Sequence, residues 1–284
     1  MKATDLYNHL EKDFYRQGMS DNWFNYMGAL EAYLCDNFKQ RSIGVMCDFA
    51  LEVNKVYTAV FPSDNVLTKV LDEGTSDAML FLHHASSWDL GKTPGQAFHQ
   101  MNPKLLDQLK ERRISLFCFH APLDAFGEYS TGKTLADALD IKIEKLFCEY
   151  SGSLIGAIGT TNCKDVHELS NQYSHAVGHE TKLYHYGDAA IANGQVAVVA
   201  GGGCDAPIIR ELVGSGVSNF ITGLTAITDY SKEAHELAKA NNINLLGGTH
   251  YSSEKFACIA MCGYFSKLRL ASEFISDIPC LHDL

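Results

Sequence analysis

The chain has 284 residues, 46% of them apolar and 20% charged, with 34 acidic against 23 basic side chains and a formal net charge of -11. These proportions exclude a disordered acidic tail, a collagen-like repeat and a small disulfide-stapled module. At roughly 150 residues per domain the length predicts about two domains, each with a core that stands without staples. Near the N-terminus, Asp5, Glu11, Lys12 and Asp13 interrupt any candidate apolar region of a signal peptide. No later stretch reaches the roughly 18 to 20 apolar residues of a membrane span. Val56 to Val60 then reads as a strand, Asp64 to Glu73 as a helix stopped by Gly74, and Ala78 to Leu82 as the next strand. Asn102-Pro103 opens a helix through Arg113, with Asn as N-cap and Pro at the first helical position. Ile114 to Phe119 follows as a third strand.

Beyond a helix near Thr134 to Leu139, Lys145 to Gly159 reads as an irregular strand pair, followed by a helix over Asp165 to Tyr173 and a short strand at Lys182 to Tyr186. Gln195 to Ala200 is an apolar strand that runs into Gly201-Gly202-Gly203, and Pro207 to Val213 continues as helix. Phe220 to Thr222 as strand, Tyr230 to Ala240 as helix, Ile243 to Leu246 as strand and a final helix from Glu254 to Leu268 complete the alternation. Such an alternation predicts an α/β fold with mixed, largely parallel sheets flanked by helices. The division is placed at two similar interlinked domains, residues 1–130 and 131–284, with the C-terminal segment a candidate to pack back on the first.

The acidic balance argues against general nucleic-acid binding, which needs clustered Lys and Arg. Together with the absence of a span or leader it predicts a soluble cytoplasmic protein with no membrane partner. Nine Cys, an odd number with no C-x-x-C pair, predict buried thiols in apolar company rather than a thiolate zinc site or a disulfide framework.

Three strands end in imidazoles. His83-His84 follow Ala78 to Leu82, His120 follows Ile114 to Phe119, and His250 lies just beyond Ile243 to Leu246. In open α/β sheets ligands bind outside the carboxyl ends of the strands. Two of these His carry an acid four positions on, as His120 to Asp124 and His250 to Glu254, a spacing that shares a face where the segment coils and gives an N/O donor set for divalent metals. The repeated order of strand, His, three residues and acid hints at duplication.

Each element has a blander reading. A lone His after a strand usually caps backbone or faces solvent, and adjacent His such as His83-His84 point to opposite sides of an extended chain. Asp124 reads equally as a turn residue after Pro122, and Glu254 as a first-turn acid favoured by the helix dipole. The joint arrangement favours a metal site. By contrast, His235 among charged helical neighbours reads as a solvated surface residue, and the glycine run at 201–203, which lacks either nucleotide-binding spacing, reads as a tight strand-to-helix turn.

Met79-Leu80-Phe81-Leu82-His83-His84, Phe119-His120-Ala121-Pro122-Leu123-Asp124 and Asn244 to Glu254 with its Gly-His-Tyr-x-x-Glu ending resemble the NGG-interacting-factor-three family, also called GTP cyclohydrolase type 2 homologues. The resemblance covers roughly residues 50–265. It implies a dinuclear site of two divalent metal ions (zinc, manganese or iron) with His83, His84, Asp124, His250 and Glu254 as ligands, Glu254 placed to bridge, and His120 behind them as an acid/base or supporting residue. It also implies two similar α/β domains and a homohexamer. The chain departs from the family pattern at Phe61-Pro62, Ala85, Ala121 and Gly223-Leu224, none of them a proposed ligand. Two carboxylates leave residual positive charge on two divalent ions, which favours an anionic oxygen and hydrolysis. The leading expectation is therefore a metal-dependent hydrolase acting on a small molecule, a nucleotide or phosphorylated heterocycle. The alternative is a non-catalytic metal-handling or partner-binding protein.

Overall fold

The computed structural model describes every residue except Pro94. The chain forms two compact units, Met1–Asp124 with Cys258–Ile278 and Ala125–Ala257 with Pro279–Leu284. The first opens with α1 (Ala3–Phe14), which buries Leu6, Tyr7 and Leu10, a helical spacing that makes one apolar stripe. Two short 3-10 turns, α2 (Asp36–Arg41) and β1 (Gly44–Cys47) lead to β2 (Lys55–Ala59). In α3 (Asp64–Asp72) the Ser63 hydroxyl accepts from Val66 N, and β3 (Ala78–Leu82) follows. A hairpin, β4 (Ser87–Thr93) and β5 (Gln96–His99), precedes α4 (Pro103–Glu111), whose N-cap Asn102 accepts from Lys104 N. Then come β6 (Ile114–Cys118) and the single turn α5 (Ala121–Asp124).

The second unit contains α6 (Thr131–Ala138), the hairpin β7 (Lys142–Tyr150) and β8 (Ser153–Thr160), α7 (Val166–Val177) and β9 (Lys182–Tyr184). It continues through β10 (Gln195–Val199), α8 (Ala206–Ser215), β11 (Asn219–Thr222), α9 (Lys232–Ala240) and β12 (Asn244–Gly247). The long α10 (His250–Lys267) starts in this unit, and β13 (Ala271–Phe274) belongs to the first.

The first sheet runs β1-β6-β3-β2-β13, with β6, β3, β2 and β13 parallel and β1 antiparallel at the edge. The second runs β7-β8-β10-β11-β12-β9, with β10, β11 and β12 parallel and antiparallel strands outside them. Every residue of β3 and β6 is buried, as expected of parallel strands covered on both faces, which is why their sequences are apolar runs rather than alternations. At the middle of each unit lies a βαβαβ path, β2-α3-β3-α4-β6 in the first, with the β4–β5 hairpin inserted between β3 and α4, and β10-α8-β11-α9-β12 in the second. The fold is α/β with mixed sheets.

His235 corrects an expectation. It is 5% exposed, because its ring sits on the inner face of α9 between Tyr186 and the Thr225 carbonyl. Six of the nine Cys are buried, and none of the nine forms a disulfide. Burial pushes the Cys204 thiol up to about 12, so it stays protonated and inert. No helix among the described residues is long and apolar enough to cross a membrane.

Candidate metal centre

In the first unit, β3 and β6 are adjacent and parallel, so the residues that follow them emerge side by side. His83 N donates to Ala59 O, which continues the parallel register one step past β3, whereas His84 N donating to Val60 O breaks it, because in a parallel ladder only alternate N–H groups face the same neighbour. Both side chains are buried, at 0% and 1% exposure, and their rings lie 4.4 Å apart. This overturns the expectation that an adjacent pair diverges: β3 ends at Leu82, so the period of two no longer holds at the His pair.

One ligand atom each from His83, His84 and His120 lies within 4.8 Å of the others. The tautomer of His83 is fixed, since its Nδ1–H donates to Phe119 O at 3.1 Å and leaves the Nε2 lone pair turned to Asp124 Oδ1 at 3.5 Å. His120 is oriented the same way, its Nδ1–H donating to Asp21 Oδ1 at 3.2 Å and its Nε2 lying 3.6 Å from Asp124 Oδ2. A ring nitrogen pinned by a carbonyl or carboxylate so that the other is presented inward is the usual arrangement behind a metal-ligating His. Burial alone would lower the His120 pKa, yet the carboxylates of Asp124 and Asp21 outweigh it and the net shift is upward. Phe61 stacks on His84, with ring centroids 4.4 Å apart and planes at 20°.

Asp124 sits four residues after His120 because the chain coils there: Asp124 N donates to His120 O, and α5 is that single turn. Asp21 also accepts from Ala121 N at 3.2 Å, which ties the segment before the first 3-10 turn to the start of α5. Sequence reasoning did not find Asp21. It lies in a stretch without periodicity, and its partner is 99 positions away.

In the second unit, His250 and Glu254 share the first turns of α10, with Nε2 and Oε1 3.2 Å apart and both residues buried, at 5% and 3% exposure. The helix starts at His250, four residues before the expected start at Glu254, for two reasons. The Asp283 carboxylate accepts from His250 N at 2.8 Å, and Thr249 Oγ1 accepts from Ser252 N at 3.1 Å. Asp283 is held in turn by Thr225 N and Ala226 N, which both donate to its carbonyl. Thr249 has φ +65°, a left-handed conformation that is costly for a β-branched residue and typical of functional turns.

The glycine run does more than turn the chain. Gly201 has φ +70°, and a Cβ there would lie 2.1 Å from Glu254 Oε1 and 3.1 Å from His250 Nε2. Only glycine leaves the carboxylate its place. Gly201 N donates to Ser253 Oγ, and Ser253 Oγ donates to His250 O, so the glycine turn and the helix start are tied together. Tyr173 lies beneath: a Cβ on Gly248 would meet its ring at 2.2 Å, and its hydroxyl donates to Thr222 O.

Chemically these residues fit a divalent cation. Imidazole nitrogens and carboxylate oxygens without thiolate form a borderline-hard donor set. Burying a carboxylate such as Asp124 or Glu254 costs several kcal/mol (about 3–5 when the balancing charge is removed), a cost that a resident cation offsets.

The family profile described as Duf34/NIF3 (NGG1p interacting factor 3) matches residues 30–278. The chain belongs to that family. Among NIF3 relatives, a protein of Archaeoglobus fulgidus named GTP cyclohydrolase 1 type 2 homolog is 28% identical over 239 residues, covering 83% of this chain and 89% of its own. One of the same name from Yersinia pestis is 26% identical over 250 residues, covering 84% and 94%. Of solved structures, the protein ybgI, titled as of unknown function, superposes with TM-score 0.76 at 21% identity and covers 99% of this chain and 100% of its own. Reduced HcgD from Methanocaldococcus jannaschii gives 0.66 at 22% identity, covering 98% of each chain. At such identities the likeness concerns the fold.

Proposed function

We propose that this NIF3 protein is a metal-dependent hydrolase in which His83, His84, Asp124, His250 and Glu254 hold two divalent cations, zinc, manganese or iron, and whose substrate is a small phosphorylated heterocycle of the nucleotide class. The observation that carries the reading is the triplet of buried His83 and His84 with the partly exposed His120, within 4.8 Å, with two of its tautomers fixed by Phe119 O and Asp21. When bound, divalent cations supply Lewis acidity and lower the pKa of water. The chain's own contribution is orientation: Phe119 O and Asp21 hold the imidazoles, and Gly201 keeps space for the Glu254 carboxylate. His120, whose Nδ1–H is donated to Asp21, stands ready to hold or pass a proton at Nε2. The name shared by the curated relatives agrees with a nucleotide-like substrate. The same reading places the protein in the cytoplasm as a homohexamer, which light scattering on the eluting protein measures directly.

The test is elemental analysis of protein purified in metal-free buffer, beside a screen of nucleotides and phosphoesters with zinc, manganese or iron. About two metals per chain are expected, lost in the His83→Ala/His84→Ala double variant and reduced in Glu254→Gln. Unaltered metal content in these variants overturns the ligand set. Full metal with no turnover in any arm overturns the hydrolase and leaves a metal-handling or partner-binding protein.

A further inference from the structure

Trp23 opens a short 3-10 turn, Trp23–Tyr26, two positions after Asp21, and is 7% exposed. Its indole Nε1 is buried and has no hydrogen-bond acceptor among the described residues. The ring stands perpendicular to His84 (88°, centroids 5.6 Å apart), to His120 (87°, 5.2 Å) and, at 77° and 4.8 Å, to Phe98 of β5. An aromatic hydrocarbon would fill this position without burying a polar atom, whereas an indole gives up the hydration of its N–H on folding. The imidazole faces beside it are weak acceptors at best. A strong donor without a strong acceptor, packed against two of the three clustered imidazoles, is a site waiting for an oxygen.

Charge says which kind of oxygen. In the proposed site two divalent cations bring four positive charges against the carboxylates of Asp124, Glu254 and the Asp21 bonded to His120, and the net positive charge that remains is one an oxyanion neutralises. We propose that the Trp23 indole N–H donates to an oxyanion of the phosphate class held beside His84 and His120, and that Trp23 thereby selects phosphorylated over uncharged ligands. The inference rests on the metal reading above, because the cation attracts the oxyanion that Trp23 then orients.

The chain has two tryptophans, Trp23 and Trp88, so zinc-loaded ¹⁵N-labelled protein shows two indole N–H signals, assigned by Trp23→Phe and Trp88→Phe. Titration with inorganic phosphate should move the Trp23 signal downfield and the Trp88 signal less. Phosphate affinity measured by calorimetry should fall about ten-fold in Trp23→Phe, as expected for a lost hydrogen bond to a charged acceptor, with zinc content unchanged and Trp88→Phe like the wild type. Equal affinity in Trp23→Phe, a stationary Trp23 signal at saturating phosphate, or no phosphate binding to zinc-loaded protein overturns the inference while leaving the metal reading in place. Failure of the wild type to hold zinc, manganese or iron overturns that reading and the inference with it. Should Trp23→Phe fail to fold, the wild-type titration, assigned through Trp88→Phe, still decides.

Discussion

The two βαβαβ paths share a plan and differ at both ends of their strands. At the carboxyl ends, the first unit places aromatic and imidazole rings, Phe61 after β2 and His83-His84 after β3, whereas the second places Gly201 after β10 and Gly223 after β11. The third strand of each is followed by a His and, four residues later, an acid, His120 with Asp124 and His250 with Glu254. At the amino ends the contrast runs through solvent. The first unit joins the residues before β3 and β6 by an exposed fork, Arg113 to Asp77 at 2.6 and 2.7 Å. The second joins the first residues of β11 and β12, Asn219 and Asn244, by a buried amide pair at 3.0 Å. One plan therefore carries ligands where the strands end and chooses its starting fasteners by exposure.

The glycine side of this contrast should break most easily. In Gly201→Ala the new Cβ must occupy space 2.1 Å from Glu254 Oε1 on a backbone with φ +70°. Strain and overpacking together predict a loss of about 2–4 kcal/mol in urea unfolding. Gly202→Ala, one residue on, meets nothing within 4 Å and should lie within about 0.5 kcal/mol of the wild type. Equal stability of the two variants would show that Gly201 does not shape the carboxylate's place.

Next in size is the buried amide pair. Asn244 Nδ2 donates to Asn219 Oδ1 and to Asp188 O, and its Oδ1 accepts from Gly187 N, all at 2.8–3.0 Å. Asn244→Ala strands several buried polar groups and should cost about 2–3 kcal/mol. Removing the cap by Asp283→Ala, which leaves His250 N without its carboxylate, should cost about 1–2 kcal/mol. In that variant the start of α10 should fray, read as faster amide exchange at His250 and Tyr251.

These residues also show what was legible in the sequence. β3 and β6 were plain because strands buried on both faces are written as apolar runs, and Asn102-Pro103 marked α4 because its cap is local. The His and acid motifs stood out by spacing alone. Asp283 and Asp21 were invisible because each acts on residues far along the chain, and the start of α10 was misplaced for the same reason: its cap comes from 33 positions away. The hairpin β4–β5 carries exposed residues at Gly91 to Thr93 and no apolar alternation to announce it. His235 was misread because Lys232, Glu233 and Glu236 surround it in sequence while its own face of α9 points inward.

The buried ring of His235 makes stability depend on pH. His235 donates from Nε2 to Thr225 O and accepts at Nδ1 from the Tyr186 hydroxyl, so its neutral tautomer is fully bonded. Burial disfavours the imidazolium and lowers its pKa, although the bond to Thr225 O opposes this. The unfolded chain therefore binds the proton more readily. The contribution is present above the unfolded value of about 6.5 and is lost as the pH falls below it. Wild-type stability should decline from pH 7 to 5 more steeply than that of His235→Asn, measured by urea midpoints at each pH. Parallel curves would mean that His235 does not titrate differently on unfolding.

The smallest effect belongs to the exposed fork. Arg113 and Asp77 have side chains 51% and 31% exposed, and both residues occupy left-handed backbone, at φ +55° and +56°. Hydrogen bonds from Arg113 lower the Asp77 pKa, so the pair's contribution is present above the usual carboxylate value of about 3.9 and is lost as the pH falls below it through the lowered folded value. Near neutrality, water and salt compete for both charges, and exposed pairs of this kind often contribute nothing measurable. Asp77→Asn keeps a residue that tolerates the left-handed conformation and removes only the charge. Its urea midpoint at pH 7 should match the wild type at low and high salt alike, while Asn244→Ala shifts it strongly. If Asp77→Asn instead shifted the midpoint as far as Asn244→Ala does, the fork would be fixing the strands' register as the buried amides do, and exposure would no longer explain why the two units fasten the same position by different chemistry.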